Sequence, residues 1–141
     1  MEIKSFRDLR VWQDAMDVAV LVYFATEEFP KREVFGLASQ MRRAAVSISS
    51  NIAEGHSRET TREYMRFVSI AQGSSAELDT QVELARRLNL ISVHTAEELA
   101  ERCAHIGRQL YRLRDALAKR LAKPECFPGP DPEPLAPSPR S

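Results

Sequence analysis

The stretch F-G-L-A-S-Q-M-R-R-A-A-V-S-I-S-S-N-I-A-E-G-H-S-R-E-T-T, residues 35–61, decides the fold. Leu37, Met41, Ala44, Ala45, Ile48 and Ile52 recur at steps of three and four, which is one face of a helix. Around them stand small residues: Ala38, Ser39, Ser47, Ser49, Ser50 and Ala53. Small side chains on several faces let neighbouring backbones come close. The pattern therefore predicts a helix at the centre of a bundle, touched on more than one side. Gly55 reads as the C′ glycine that stops it. Thr60 and Glu63 then form a T-x-x-E capping box for the next helix, so a tight helix–turn–helix is expected here.

Working outward, residues 6–29 read as a first helix and about 32–55 as the second. Leu9, Trp12, Ala15, Met16, Ala19, Val22 and Tyr23 make one stripe of the first helix. Val11, Val18, Val20, Leu21 and Phe24 widen it beyond a two-per-heptad seam. Such width calls for burial against several neighbours, within the bundle or across a subunit interface. Pro30 ends the helix, because the residue before proline is pushed out of the α region. A third helix runs from Thr60 to about Leu90, with Tyr64, Val68, Ala71, Ser75, Leu78, Val82 and Ala85 as its seam. Gly73 inside it predicts a close helix–helix approach or a bend. Ser92 and Thr95 are alternative N-caps for a fourth helix, whose seam is Ala96, Leu99, Cys103, Ile106, Leu110, Leu113 and Leu117. From Pro124 to Ser141 seven of eighteen residues are proline, which predicts a flexible, Pro-rich tail. The expected organisation is one all-α domain, an up-down-up-down four-helix bundle over 1–123, followed by the tail 124–141.

Formal net charge is zero over 141 residues, so any nucleic-acid site must be a local patch. No apolar run reaches the roughly 18 residues of a membrane span, and M-E-I-K-S-F-R-D lacks a signal-peptide core. Two cysteines, Cys103 in the fourth seam and Cys126 in the tail, do not make a disulfide framework. A cytoplasmic protein with free thiols is expected, with no membrane association.

F-R-D-L-R-V-W-Q-D-A-M near the start, the run from F-P-K-R-E-V-F-G to N-I-A-E-G, and F-V-S-I-A-Q-G-S-S-A-E-L-D-T-Q resemble the four-helix-bundle proteins encoded in intervening sequences of bacterial 23S rRNA genes. That family is in turn similar to the accessory variability determinant of diversity-generating retroelements. The resemblance spans about residues 6–121 and implies a homopentamer of four-helix subunits. Its accessory-determinant branch implies binding of RNA or DNA and association with a reverse transcriptase.

No catalytic set stands out. His56, His94 and His105 fit no di-iron E-x-x-H pattern, and there is no H-E-x-x-H, C-x-x-C, P-loop or dinucleotide fingerprint. Arg102 stands three residues before His105, the wrong spacing for the arginine–histidine pairs of helical nucleases. A non-enzyme without metal or cofactor is expected. Asn51, Glu54 and Arg58 form a polar cluster at the end of the second helix, where orphan backbone groups need partners. Arg42 and Arg43 are about 100° apart on the helix, and one of them is expected to pair with Glu54 or Glu77. Residues 102–123 hold seven Lys or Arg against the single acid Asp115. His105, Arg108, Arg112, Lys119 and Lys123 fall near one face and are the candidate nucleic-acid contacts. Tyr111 is the only ring in that stretch, which gives little support to base stacking. Two functions stay open: a nucleic-acid-binding accessory protein, or a structural protein–protein interaction module.

Overall fold

The computed structural model describes residues 3–33 and 36–122. Lys123, Cys126 and the Pro-rich segment lie outside them. Four helices make the architecture: α1 (Arg10–Thr26), α2 (Leu37–His56), α3 (Thr61–Arg87) and α4 (Val93–Ala122). They run up, down, up, down, each packed on its sequence neighbour, and α4 returns to close against α1. The bundle expected from the sequence is the observed fold.

Val11, Val18, Val22, Met41, Ile48, Ile52, Val68, Leu78, Leu99, Ile106, Leu110 and Leu117 form the shared core. The seams of α3 and α4 are buried as their periodicity predicts, with Tyr64 and Leu113 only partly covered. Burying side chains of this size stabilises the fold by about 1.5–3 kcal/mol each.

The ends of the helices depart from the sequence reading. The first helix does not begin at residue 6. Ser5 and Asp8 make a reciprocal capping box around a 3-10 turn, Phe6–Asp8, and Leu9 is extended. The short local hydrogen bonds of Ser and Asp thus beat continuation of the helix. A second 3-10 turn, Lys31–Glu33, precedes α2, which starts only after Gly36. Gly55 is not a left-handed terminator: no glycine among the described residues has positive φ, and α2 continues to His56. Its role is steric. A Cβ on Gly55 would lie 2.8 Å from the Phe67 Cβ and 3.3 Å from the Tyr64 carbonyl oxygen. Gly73 is the reverse case, since a Cβ there would meet nothing within 4 Å. It supports no close approach between the described helices. Asn89, at φ 60°, turns the chain after α3, and the Leu90 amide donates back to the Ala85 carbonyl at 2.9 Å. Thr60 caps α3 as expected, its hydroxyl accepting from the Glu63 amide at 3.1 Å. At the start of α4 Ser92 is the cap, accepting from the Thr95 amide at 3.0 Å, and Thr95 lies inside the helix.

Candidate nucleic-acid interface on the fourth helix

The basic residues of α4 do not form one surface. Steps of three and four around a helix send them to three sides. Arg102 and His105 turn toward α1. Arg102 pairs with Glu98 on its own helix at 3.3 Å, and His105 Nε2 lies 3.4 Å from Asp14 Oδ2. Gln109 donates to the same Asp14 oxygen at 2.8 Å. Arg114 turns toward α3, its Nε donating to the Ser69 hydroxyl at 2.8 Å. Arg108, Arg112 and Lys119 share the outer face and are exposed. Lys119 bridges to Asp115 at 3.3 Å. Among the described residues Arg108 and Arg112 make no ion pair. Of the five contacts proposed from sequence, three stand together, His105 is drawn to Asp14, and Lys123 is outside the described residues.

Beside this face, between α1 and α4, a groove of about 390 Å³ is lined by Asp14, Glu98, Glu101, Arg102, His105 and Arg108. Acids and bases alternate there, so the basic character of α4 begins only at Arg108. Partition of charge along the helix matters for phosphate binding, because each carboxylate beside a cation offsets its attraction.

At the far end of α2 and the start of α3 a second group of cations appears. Arg58 bridges to Glu54 at 2.8 Å, and the guanidinium groups of Arg58 and Arg66 lie 5.0 and 5.4 Å from the Phe67 ring centre. His56 meets Tyr64 edge to face at 5.8 Å. Burial pushes the Tyr64 hydroxyl above its ordinary pKa, opposed by the charge of Arg120. Asn51 does not join Glu54 and Arg58. Its amide donates back to the Ser47 carbonyl at 2.8 Å and the Ser47 hydroxyl at 3.0 Å, and Ser47 in turn reaches Ser74 of α3 at 2.8 Å.

Arg42 corrects one expectation. Among the described residues neither it nor Arg43 pairs with a carboxylate. The Arg42 Nε donates to the Thr26 hydroxyl at 2.8 Å, and its guanidinium sits 4.7 Å from the Tyr23 ring centre. Thr26 is buried, and its hydroxyl donates to the Val22 carbonyl at 2.7 Å. No sequence spacing signals this pairing, because the partner is 16 residues away on another helix.

Cys103 is buried in the α4 seam. Desolvation, helped by the Asp79 charge, pushes its thiol up to about 12, so it stays protonated and unreactive at neutral pH. No cluster of His, Cys, Asp and Glu among the described residues could hold a metal ion. Nor is any described helix long and apolar enough to cross a membrane.

A model of the 23S rRNA-intervening sequence protein family matches residues 7–112, from the first 3-10 turn into the middle of α4. The chain belongs to that family. A solved structure from Bacteroides thetaiotaomicron, described as a protein of unknown function from the S23 ribosomal protein family, is similar with a TM-score of 0.69. It is 21% identical, and the match covers 74% of this chain and 95% of that one. This likeness concerns the fold alone. No curated protein matches the chain. The matched residues include all of α1, α2 and α3 and most of the α4 seam, and the family description carries no activity.

Proposed function

We propose that this chain is a non-enzymatic, self-associating helical bundle that binds nucleic acid through the outer face of α4. The observation that carries the reading is the pair Arg108 and Arg112, one turn apart, exposed, and without a carboxylate partner among the described residues. Exposed arginine forks at this spacing suit phosphate oxygens, which they can engage bidentately. Self-association, as a homopentamer in the family resemblance, multiplies the patch and with it the phosphate contribution to affinity. The same resemblance supplies a reverse transcriptase as the protein partner to test by co-purification.

Titration with structured RNA and with duplex DNA at several salt concentrations tests the reading. Binding should tolerate changes of sequence and weaken linearly with log salt, by about 0.9 per phosphate neutralised on duplex DNA. Reversing Arg108, Arg112 and Lys119 to glutamate should weaken all sequences alike, because phosphate contacts position without specifying. Absence of binding at low salt would reject it.

A second reading, a protein–protein interaction module without nucleic-acid binding, has its own support. Met16, Val20, Tyr23 and Phe24 form an exposed apolar stripe on α1, with Phe24 66% exposed. Next to it opens a groove of about 400 Å³ lined by Leu21, Ala25, Leu90, Ile91 and Leu99 among others. Contiguous apolar surface of this kind marks an interface. In the first reading it serves the contact between copies, and in the second it is the whole function.

A further inference from the structure

A third groove runs between α3 and α4 on the side of the bundle away from α1. Its volume is about 280 Å³, and its walls include Gln72, Ser75, Ala76, Asp79, Ala104 and Gly107. Tyr111 stands one helical turn beyond Gly107 on the same face and is 67% exposed, the most exposed large apolar side chain of the described residues. The ring stands beside the groove and does not line it. A Cβ on Gly107 would meet no atom within 4 Å. Open space therefore lies at Gly107, next to the ring along the helix, where any other residue would place a side chain.

The charges around this shelf are ordered. Arg108 and Arg112 flank Tyr111 on α4. Arg114 is held at its α3 side by the hydrogen bond to Ser69, at 2.8 Å. At the opposite end of the groove Asp79 supplies a carboxylate. At the arginine end Asp115, one turn beyond Tyr111, is paired with Lys119 at 3.3 Å, so the three arginines outweigh it and draw a phosphate there, while a flat, uncharged ring fits the small-walled floor.

We infer that this shelf binds one unpaired nucleobase, stacked on the Tyr111 ring, with its flanking phosphates on Arg108 and Arg114 and the Gln72 amide placed at the base edge. This rests on the nucleic-acid reading above and extends it, because an outer arginine face does not distinguish paired from unpaired strands. Bases inside a duplex are stacked on one another and offer no free face, whereas single strands and loops do. Tyr111, the one ring of the basic stretch, supplies the stacking face, and the open surface at Gly107 leaves it accessible.

The test uses the full chain and three fluorescein-labelled probes of equal length: single-stranded RNA, single-stranded DNA and duplex DNA. Anisotropy titrations at one low salt concentration compare wild type with Tyr111→Ala, Tyr111→Trp and Gly107→Gln. Loss of the ring should weaken both single-stranded probes by about 5- to 100-fold, the range of one stacked base, and leave duplex affinity within about twofold. Tryptophan should restore single-strand binding, which a mere folding defect at position 111 would not allow. Gly107→Gln, a good helix former, should obstruct the floor and repeat the alanine result. Equal binding of single strands by wild type and Tyr111→Ala, with the salt dependence intact, overturns the stacking site and leaves the arginine face standing. Parallel losses on single strand and duplex overturn it too. No binding of any probe by wild type rejects both readings together.

Discussion

Gly55 offers the sharpest test of the packing described above. Replacing it with alanine places a methyl group 2.8 Å from the Phe67 Cβ, 3.1 Å from Tyr64 Cδ1 and 3.3 Å from the Tyr64 carbonyl oxygen. Two of these atoms belong to, or adjoin, the α3 backbone, so no side-chain tip can swing away. The helices must separate by several tenths of an ångström, and overpacking of this kind costs about 1–3 kcal/mol. Alanine offsets part of this through its helix propensity, worth up to about 1 kcal/mol over glycine. Gly73→Ala and Gly107→Ala supply the control, because both enter open space and keep only the propensity gain of about 0.5–1 kcal/mol. The difference between Gly55→Ala and either control isolates the clash, and should be about 1–3 kcal/mol. Urea denaturation followed by helical circular dichroism reads it directly. With a slope of about 2 kcal/mol per molar, the midpoints should separate by roughly 0.5–1.5 M, the controls above wild type and Gly55→Ala below or close to it. Three alanine variants shifting together by the same amount would refute the close approach of α2 to α3 at Gly55.

Other expectations follow from single features. Leu110→Ala opens a cavity in the α4 seam and should cost about 2–5 kcal/mol; a denaturant midpoint near that of wild type would take Leu110 out of the core. Glu83 accepts from Arg86 at 2.7 Å and from Arg87 at 2.8 Å, and these hydrogen bonds hold its carboxyl down at about 2 from the ordinary 4.5. A depressed carboxylate contributes stability above its unfolded value and loses it as pH falls, here between about 4.5 and 2. NMR titration should place the Glu83 inflection below those of the other exposed glutamates, and coincidence with them would remove the fork. Phe24→Asp puts a charge in the α1 stripe, so light scattering at micromolar concentration should show smaller particles than wild type; unchanged assembly mass would locate the contact elsewhere.

Much of the fold was legible because buried positions repeat at steps of three and four. Met41, Ile48 and Ile52, or Leu99, Ile106 and Leu110, cannot face solvent together without a large cost, so their spacing names the inner face. The helix ends were harder to read. Leu9 belongs to the apolar stripe, yet the capping box of Ser5 and Asp8 interrupts the helix before it. Gly55 stands out in the sequence as a break in the helical pattern, but contact with α3 and not a left-handed turn requires it. Composition shows that a side chain is missing, but only the structure shows whether torsion or contact requires it. Asn89 ends α3 through a positive φ that a lone asparagine between two leucines does not announce. At the candidate site the density of arginines was visible and its division was not. One helical residue turns about 100° from the next, so a basic segment spreads its charge around the helix. The distance of Arg42 from Thr26 along the chain hid that pair altogether.

The ties between α1 and its two neighbours differ in a way that bears on how the sequence can drift. Toward α2 the fastening is a guanidinium on a hydroxyl and an aromatic ring, three groups on three residues, Arg42, Thr26 and Tyr23. Toward α4 both polar ties, from His105 and from Gln109, converge on a single carboxylate, Asp14. One nucleotide change that turns Asp14 into asparagine discharges the histidine contact and reorganises the glutamine contact at once. The first tie hangs on one residue of α2, Arg42, and the second on one residue of α1, Asp14, so tolerated variation should be sparse at positions 42 and 14 and broader at Tyr23, where another ring can take the arginine.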